Sequence, residues 1–321
     1  MDELGIKARL LFEAAEQLGW ASDAPALVER VKGLDKGLPA EDELSAILHW
    51  LGRCRLVHRL DQAQYPPDSK IKYQVPDLMA VFEHGGRMLP ALIEVKSSDK
   101  DVLSWRPQYI NSLQRYSELL RIPLLIGWKH RSFWALFEPR HFRPSVSNLK
   151  ISFTEALRET LLGQLAGDFS FCFRAPVGLH LHIRKISQTS TGWDAVIEEV
   201  YFTNAEGVRY ESPKGVFPFF ICMDQDVQVV EEESHFLQSY VISTSDQGEF
   251  AHRALVTLLD TFTSVKAPLR WRGILQQDIR PPQAGGLRDA AQQALEEGFL
   301  QYVFNIRPNS VPEWLQSEHA G

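Results

Sequence analysis

The chain has 321 residues, of which 44% are hydrophobic and 23% charged, the composition of an ordinary globular protein. It contains no run of about 18 apolar residues, so no membrane-spanning helix is expected. Its three cysteines lie far apart, which excludes a disulfide framework and favours a reducing, cytoplasmic location. The net charge of −7 excludes a uniformly basic nucleic-acid-binding protein, although residues 51–150 carry 16 Lys and Arg against 9 Asp and Glu.

The N-terminal half alternates helical and strand patterns, which predicts an α/β domain. Apolar residues at helical spacing predict helices, and short apolar or alternating runs predict strands. In chain order these are helices over 3–19, 25–33 and 38–53, strands over 54–62, 72–83 and 88–98, a helix over 107–121, and strands over 122–128 and 131–138.

The second half has a different pattern, which predicts a separate α+β domain. Residues 139–148 have the composition of a linker, and the domain division is placed after residue 143, giving domains 1–143 and 144–321. The later segments predict helices over 153–165, 248–263 and 287–303 and strands over 169–186, 194–204 and 215–223. No motif in residues 144–321 identifies a function, so we expect them to mediate dimerisation, partner binding or substrate recognition.

Three charged residues occupy the two predicted strands that flank the turn HGGR. Asp77 stands directly before the apolar run LMAVF of the first strand, and Glu94 and Lys96 lie near the end of the second. Because side chains alternate along a strand, Glu94 and Lys96 share a face, and the hairpin can bring Asp77 across from Glu94. Buried charge is costly unless it is paired or binds a metal. The alternative interpretation is a salt-bridge cluster at a strand end.

Two converging carboxylates indicate a divalent cation between them. Mg²⁺ binds through one or two carboxylates and keeps several waters, and Mn²⁺ is expected to substitute. A protonated lysine cannot bind the metal, but it can hold a water or stabilise the negative charge of a phosphate. The set Asp77, Glu94 and Lys96 therefore suits phosphodiester hydrolysis.

The segments PDLMAVFE and LIEVKSS resemble the PD-(D/E)XK nuclease superfamily, in particular its restriction-endonuclease-like and archaeal Holliday-junction-resolvase-like branch. The resemblance covers roughly residues 40–138. It implies a restriction-endonuclease-like mixed sheet flanked by helices, with Asp77, Glu94 and Lys96 as catalytic residues. It further implies that Asp77, Glu94 and the main-chain carbonyl of Val95 hold Mg²⁺.

The same resemblance suggests supporting residues on the two flanking helices. Family members often carry a glutamate ligand on the early helix, for which Glu43 is the candidate and Glu41 the alternative. They often carry a supporting glutamine on the later helix, for which Gln114 is the candidate and Gln108 the alternative. Spacing decides neither assignment.

Two lysines precede the first carboxylate in a proline-broken loop. Lys70 and Lys72 are candidates for contacts to the phosphate backbone, and plain solvent exposure is the alternative.

The resulting hypothesis is a Mg²⁺-dependent endonuclease that acts on DNA in a defence, repair or mobile-element context. We expect it to act as a homodimer or with a partner protein, since one site cuts one strand. The alternatives are a non-catalytic nucleic-acid-binding or scaffold subunit that keeps the nuclease fold, and a partner-dependent subunit of a transposase-like complex.

Overall fold

The computed structural model describes residues 40–61, 73–211, 213, 215–245, 247–262 and 286–316. The chain forms two compact units: the described residues up to Asp168, residues 259–262 and the described residues from Ile306 onwards belong to the first, and Phe169–Leu258 with residues 286–305 belong to the second. The predicted division after residue 143 stays a prediction. None of the helices within the described ranges has the length and apolar character needed to cross a membrane.

The first unit is built on a five-stranded mixed sheet. Its elements are α1 (residues 40–50), β1 (Cys54–Arg59), β2 (Leu78–His84), β3 (Arg87–Ser97), β4 (Val102–Trp105), α2 (Pro107–Leu120), β5 (Leu124–His130), β6 (Phe133–Phe137), β7 (Arg143–Ser145), β8 (Asn148–Ser152), α3 (Phe153–Arg158) and α4 (Leu162–Leu165). The strand order is β1-β2-β3-β5-β6. Strands β3 and β5 are parallel and the other neighbours are antiparallel. This mixed sheet flanked by helices confirms the predicted α/β class.

The two helices pack on opposite faces of this sheet. Leu44 of α1 lies over Gly127 of β5, where an added Cβ would come within 2.7 Å of the leucine Cδ2 atom. Ile110 and Leu113 of α2 pack in the core cluster that contains Ile126. Since Ile126 and Gly127 are consecutive on one strand, their side-chain positions point to opposite faces, so the sheet separates α1 from α2.

A second, three-stranded sheet follows β3 in the first unit. Its strand order is β4-β8-β7, with antiparallel pairing throughout. The prediction of a linker over residues 139–148 was therefore wrong in its second half, because β7 and the start of β8 lie there. Leu103, Trp105 and Ile151 face inward and join the core cluster on the α2 side of the main sheet.

The second unit confirms an α+β architecture. The elements after Asp168 are β9 (Phe169–Phe173), β10 (Val177–Gln188), β11 (Trp193–Thr203), β12 (Arg209–Tyr210), α5 (Phe217–Phe220), β13 (Asp226–Glu231), β14 (His235–Ile242), β15 (Gly248–Phe250), α6 (Ala251–Phe262), α7 (Gly286–Glu296) and β16 (Leu300–Asn305). The short helix α8 (Glu313–Gln316) follows them in the chain and belongs to the first unit. Sheets of order β12-β11-β10-β14-β13 and β15-β9-β16 are antiparallel.

Two predictions for the second half were wrong. The strand predicted over residues 215–223 contains the short helix α5, because a continuous apolar run such as FPFF does not distinguish a buried helix from a strand. The helix predicted over residues 287–303 ends at Glu296, and strand β16 follows. Gly298 lies between them with φ of +77°, a left-handed conformation that commonly ends helices.

Candidate active site

The β2–β3 hairpin places the two predicted carboxylates across from each other. Leu78 pairs with Ile93 in the antiparallel ladder, so the preceding residue, Asp77, lies opposite Glu94. Residues directly opposite in an antiparallel pair have Cβ atoms about 4.5–5.5 Å apart on one face. Gly85 and Gly86, both with positive φ, form the turn that fixes this register.

Asp77 is held by the backbone of the neighbouring strand. The main-chain amide of Val95 donates a hydrogen bond of 2.7 Å to Asp77 Oδ2. Burial raises the pKa of the Asp77 carboxyl, while the Val95 amide and the charges of Lys96 and Arg59 act in the opposite direction. The bond fixes one carboxylate oxygen and leaves Oδ1 as the other available acceptor.

Glu94 is buried, with 4% of its surface exposed. The Tyr109 hydroxyl on the first turn of α2 donates a hydrogen bond to Glu94 Oε1. The other oxygen, Oε2, is buried and has no hydrogen-bond partner among the described residues. Burial and then the charge of Asp77 raise the pKa of Glu94 from 4.5 to about 8. Ionising the Glu94 carboxyl is therefore costly, and its Oε2 atom has no hydrogen-bond partner among the described residues.

Lys96 completes the predicted triad on β3. It lies two residues beyond Glu94, and the parallel ladder pairs Glu94 with Ile126 and Lys96 with Trp128 on the α2 side of the sheet. Unlike Glu94, Lys96 is exposed. Its positive charge lowers the pKa of both Asp77 and Glu94. The structure thus brings the three predicted residues together, with the ammonium at the solvent side.

Glu43 does not join this group. Its two carboxylate oxygens accept hydrogen bonds from Trp134 Nε1, at 2.9 Å, and from Lys129 Nζ. Lys129 follows Trp128 on β5, so its side chain leaves from the opposite face of the sheet, where α1 packs. The expected metal-ligand role of Glu43 therefore needs correction: its buried carboxylate is already occupied by an ion pair with the half-buried Lys129 on the other face of the sheet.

Glu41, the alternative on α1, acts electrostatically on Glu94. Its Oε2 is 2.9 Å from Arg59 Nη2, and the same guanidinium nitrogen is 3.0 Å from Asp42 Oδ1. The charge of Glu41 raises the pKa of Glu94. The negative charge of Glu41 therefore acts on the candidate site. Arg59, which pairs with Leu78 at the start of β2, binds the Glu41 carboxylate.

Among the described residues, neither glutamine candidate on α2 has a side-chain hydrogen bond to Asp77 or Glu94. Gln114 lies five residues beyond Tyr109, about 7.5 Å along the axis and on the opposite edge of the buried stripe. Gln108 is exposed, and its carbonyl accepts from the Ser112 hydroxyl. A supporting role for Gln114 stays a prediction. The residue of this helix that touches the site is Tyr109.

Three further predicted contributors have a different status. Lys70 and Lys72 lie outside the described residues. The main-chain carbonyl of Val95 lies between Glu94 and Lys96, where the amide of the same residue already binds Asp77. Its role as a metal ligand stays a prediction.

The donor set fits a divalent cation. Two neighbouring carboxyl groups with raised pKa values, one of them with an unpartnered buried oxygen, are an arrangement that Mg²⁺ or Mn²⁺ would stabilise. Within the described ranges, no group of three or more His, Cys, Asp or Glu side chains is arranged to hold a metal ion. The protein would therefore supply two carboxylates, with waters and main-chain oxygen completing the coordination.

Comparison with known proteins adds little to this geometry. No protein-family model matches the chain, and no curated protein matches it. Among solved structures, Hjc, a Holliday junction resolvase from Archaeoglobus fulgidus, is 21% identical. The comparison covers 37% of this chain and 89% of that one, with a TM-score of 0.30.

Proposed function

We propose that the protein is a metal-dependent endonuclease that hydrolyses phosphodiester bonds in nucleic acid, with DNA as the expected substrate. The observation that carries the proposal is the unpartnered, buried Glu94 Oε2 across the hairpin from Asp77. A salt-bridge cluster, the alternative interpretation, would give this oxygen a cationic partner. The match of Asp77, Glu94 and Lys96 to the PD-(D/E)XK pattern also supports it.

Each residue has a distinct role in this proposal. Asp77 Oδ1, Glu94 Oε2 and the Val95 carbonyl would hold Mg²⁺, which when bound supplies positive charge against the scissile phosphate and its leaving oxygen. The Val95 amide orients the Asp77 carboxylate, and the Tyr109 hydroxyl orients Glu94. Lys96, exposed beside them, holds the attacking water in line with the phosphorus and places its own charge near the phosphoryl oxygens.

Cutting both strands of a duplex requires two such sites, so we also propose that the protein acts as a homodimer or with a partner protein. The second unit is the candidate for that contact, and a cytoplasmic location follows from the unpaired cysteines of the sequence. Neither proposal is needed for the chemistry of a single site.

A cleavage assay on supercoiled plasmid tests the activity. With Mg²⁺ or Mn²⁺ we expect nicked or linear product, and we expect Asp77→Asn and Lys96→Ala each to lower the rate by at least about 10³-fold. Lys100→Ala, an exposed lysine four residues away, and Glu118→Gln, an exposed acid on α2, are matched controls expected to keep the wild-type rate. Absence of cleavage on duplex, single-stranded and branched DNA with either ion would favour the non-catalytic scaffold.

A further inference from the structure

The outer face of the β4-β8-β7 sheet carries a row of positive charge. Arg143 of β7 pairs directly with Lys150 of β8, and Lys150 pairs on its other side with Ser104 of β4. Directly paired residues lie on one face, so the three side chains form a line across the sheet. All three are exposed, while Ile151 and Leu103, their neighbours in sequence, face the core.

Arg106 extends this line towards the candidate active site. It follows Trp105 with extended backbone angles, φ −70° and ψ 138°, so its side chain points to the same outer face as Ser104. Arg106 also precedes α2 and lies one helical turn before Tyr109, the residue that binds Glu94. We define Arg106, Lys150 and Arg143 as the basic row.

The pairing within the basic row is unfavourable for the protein alone. Like charges directly opposite each other destabilise an antiparallel pair. No described carboxylate lies within 4.0 Å of a charged nitrogen of Arg106, Lys150 or Arg143. The pKa of the exposed Glu155 is lowered mainly by its hydrogen bonds to Ser152, with a smaller contribution from the charge of Arg143. Glu155 itself is bound to Ser152 in the capping box of α3.

A polyanion that lies across the sheet would remove this repulsion. Neighbouring strands are about 4.8 Å apart, so the row spans about 10 Å from β7 to β4, and double-stranded DNA presents one charge per about 1.7 Å of its axis. The hydroxyl of Ser104 and the amide of Asn148, hydrogen-bonded to each other at 3.2 Å, lie beside the row as uncharged donors.

We propose that the basic row binds the phosphate backbone of the nucleic acid and guides it to the carboxylates at the N-terminal end of α2. The inference rests on the proposed function for the identity of the polyanion. It assigns phosphate-backbone contacts to a sheet whose strand β7 lies within the predicted linker, in addition to the contacts predicted for Lys70 and Lys72. Contacts of this kind position the nucleic acid and carry no sequence information.

The test is the salt dependence of binding to a labelled 30-base-pair DNA duplex, measured by fluorescence anisotropy in EDTA so that no cleavage occurs. In the full chain, the double variant Arg143→Ser/Lys150→Ser should make the negative slope of log K against log salt shallower by about 1.8 and weaken binding by at least about tenfold at 0.1 M salt. The matched control is Arg115→Ser/Arg121→Asn, which removes two exposed arginines from the far side and the end of α2. Asn tolerates the left-handed conformation of residue 121.

The proposal is overturned if the Arg143→Ser/Lys150→Ser variant keeps the slope and affinity of the control, or if the wild-type protein does not bind the duplex at low salt. The plasmid assay keeps the two proposals apart. If the Arg143→Ser/Lys150→Ser variant weakens DNA binding but the wild-type protein does not cleave the plasmid, only the nuclease proposal is overturned. If the wild-type protein cleaves the plasmid but the variant binds DNA as well as the control, only the basic-row proposal is overturned.

Discussion

The main-chain amide of Val95 donates to the carboxylate of Asp77 across the β2–β3 hairpin, at 2.7 Å. The same strand carries Glu94 immediately before Val95 and Lys96 immediately after it. The backbone of Val95 therefore orients the Asp77 carboxylate, and its two neighbours on the strand supply the second carboxylate and the lysine. A tripeptide of β3 thus organises the whole candidate site.

The raised pKa of Glu94 makes the fold less stable as pH rises. The folded protein keeps the Glu94 proton up to about pH 8, whereas the unfolded chain releases it near 4.5. Stability linked to this proton is complete below pH 4.5 and is lost as pH rises to 8, by an amount on the order of a few kcal/mol. Thermal melts in EDTA should show Glu94→Gln gaining stability relative to wild type between pH 5 and 8. The Glu118→Gln control should follow the wild type. If the melting temperatures of Glu94→Gln and wild type change with pH in parallel, the raised pKa of Glu94 is contradicted.

Metal binding should release a proton. Below pH 8 the cation must displace the proton on Glu94, so the affinity for Mn²⁺ should rise by up to about tenfold per pH unit between pH 6 and 8. Titration calorimetry at pH 6.5, in two buffers of different ionisation enthalpy, should give close to one proton released per Mn²⁺. An affinity that does not change with pH would show that the ion binds elsewhere.

Tyr109→Phe should weaken the site without changing its shape. The Tyr109 hydroxyl bond lowers the pKa of Glu94, so its loss should raise that pKa further and move the pH dependence of Mn²⁺ binding to higher pH. Loss of such an outer partner typically costs about 10–100-fold in metal affinity. Tyr116→Phe, seven residues along the same helix and half-buried, is the control and should leave the profile in place. If both variants behave alike, the Tyr109 hydroxyl has no positioning role.

The two glutamates of α1 should separate structure from function. Glu43→Gln breaks the ion pair with Lys129 and should destabilise the fold by about 3 kcal/mol while sparing Mn²⁺ affinity in the folded protein. Glu41→Gln should lower the pKa of Glu94, because the Glu41 charge raises it. Its Mn²⁺ binding profile should therefore move to lower pH. Urea unfolding measures the loss of stability, and Mn²⁺ titration at several pH values measures the shift in binding. If Glu43→Gln changes Mn²⁺ binding and Glu41→Gln does not, Glu43 is the residue that belongs to the site.

The sequence predicted the hairpin and its three charged residues because their signals are local. Period-two alternation and the Gly85–Gly86 turn determine both the register and the shared face of Glu94 and Lys96. The glutamate of α1 could not be chosen in the same way. Glu41 and Glu43 lie within one turn, and only the rotation of α1 on the sheet decides which one meets Lys129.

In the sequence, Tyr109 falls on the apolar stripe of its helix together with Leu113, Tyr116 and Leu120. An aromatic at such a position usually packs in a core, and nothing in the sequence shows that its hydroxyl reaches Glu94 on β3. Strands β7 and β8 were missed for a related reason. Their three and five residues are rich in proline, serine and charge, and they become strands by pairing with the distant β4. The Tyr109–Glu94 contact and the pairing of β8 with β4 both join segments far apart in the chain, which local sequence patterns do not show.

A crystal structure of the protein soaked in Mn²⁺, with anomalous data, tests the central claim most directly. The account predicts one Mn²⁺ between β2 and β3, bound by Asp77 and Glu94 through oxygens at about 2.1 Å. A map with no Mn²⁺ there at saturating concentration, or with Glu94 Oε2 paired to a protein cation, would contradict it.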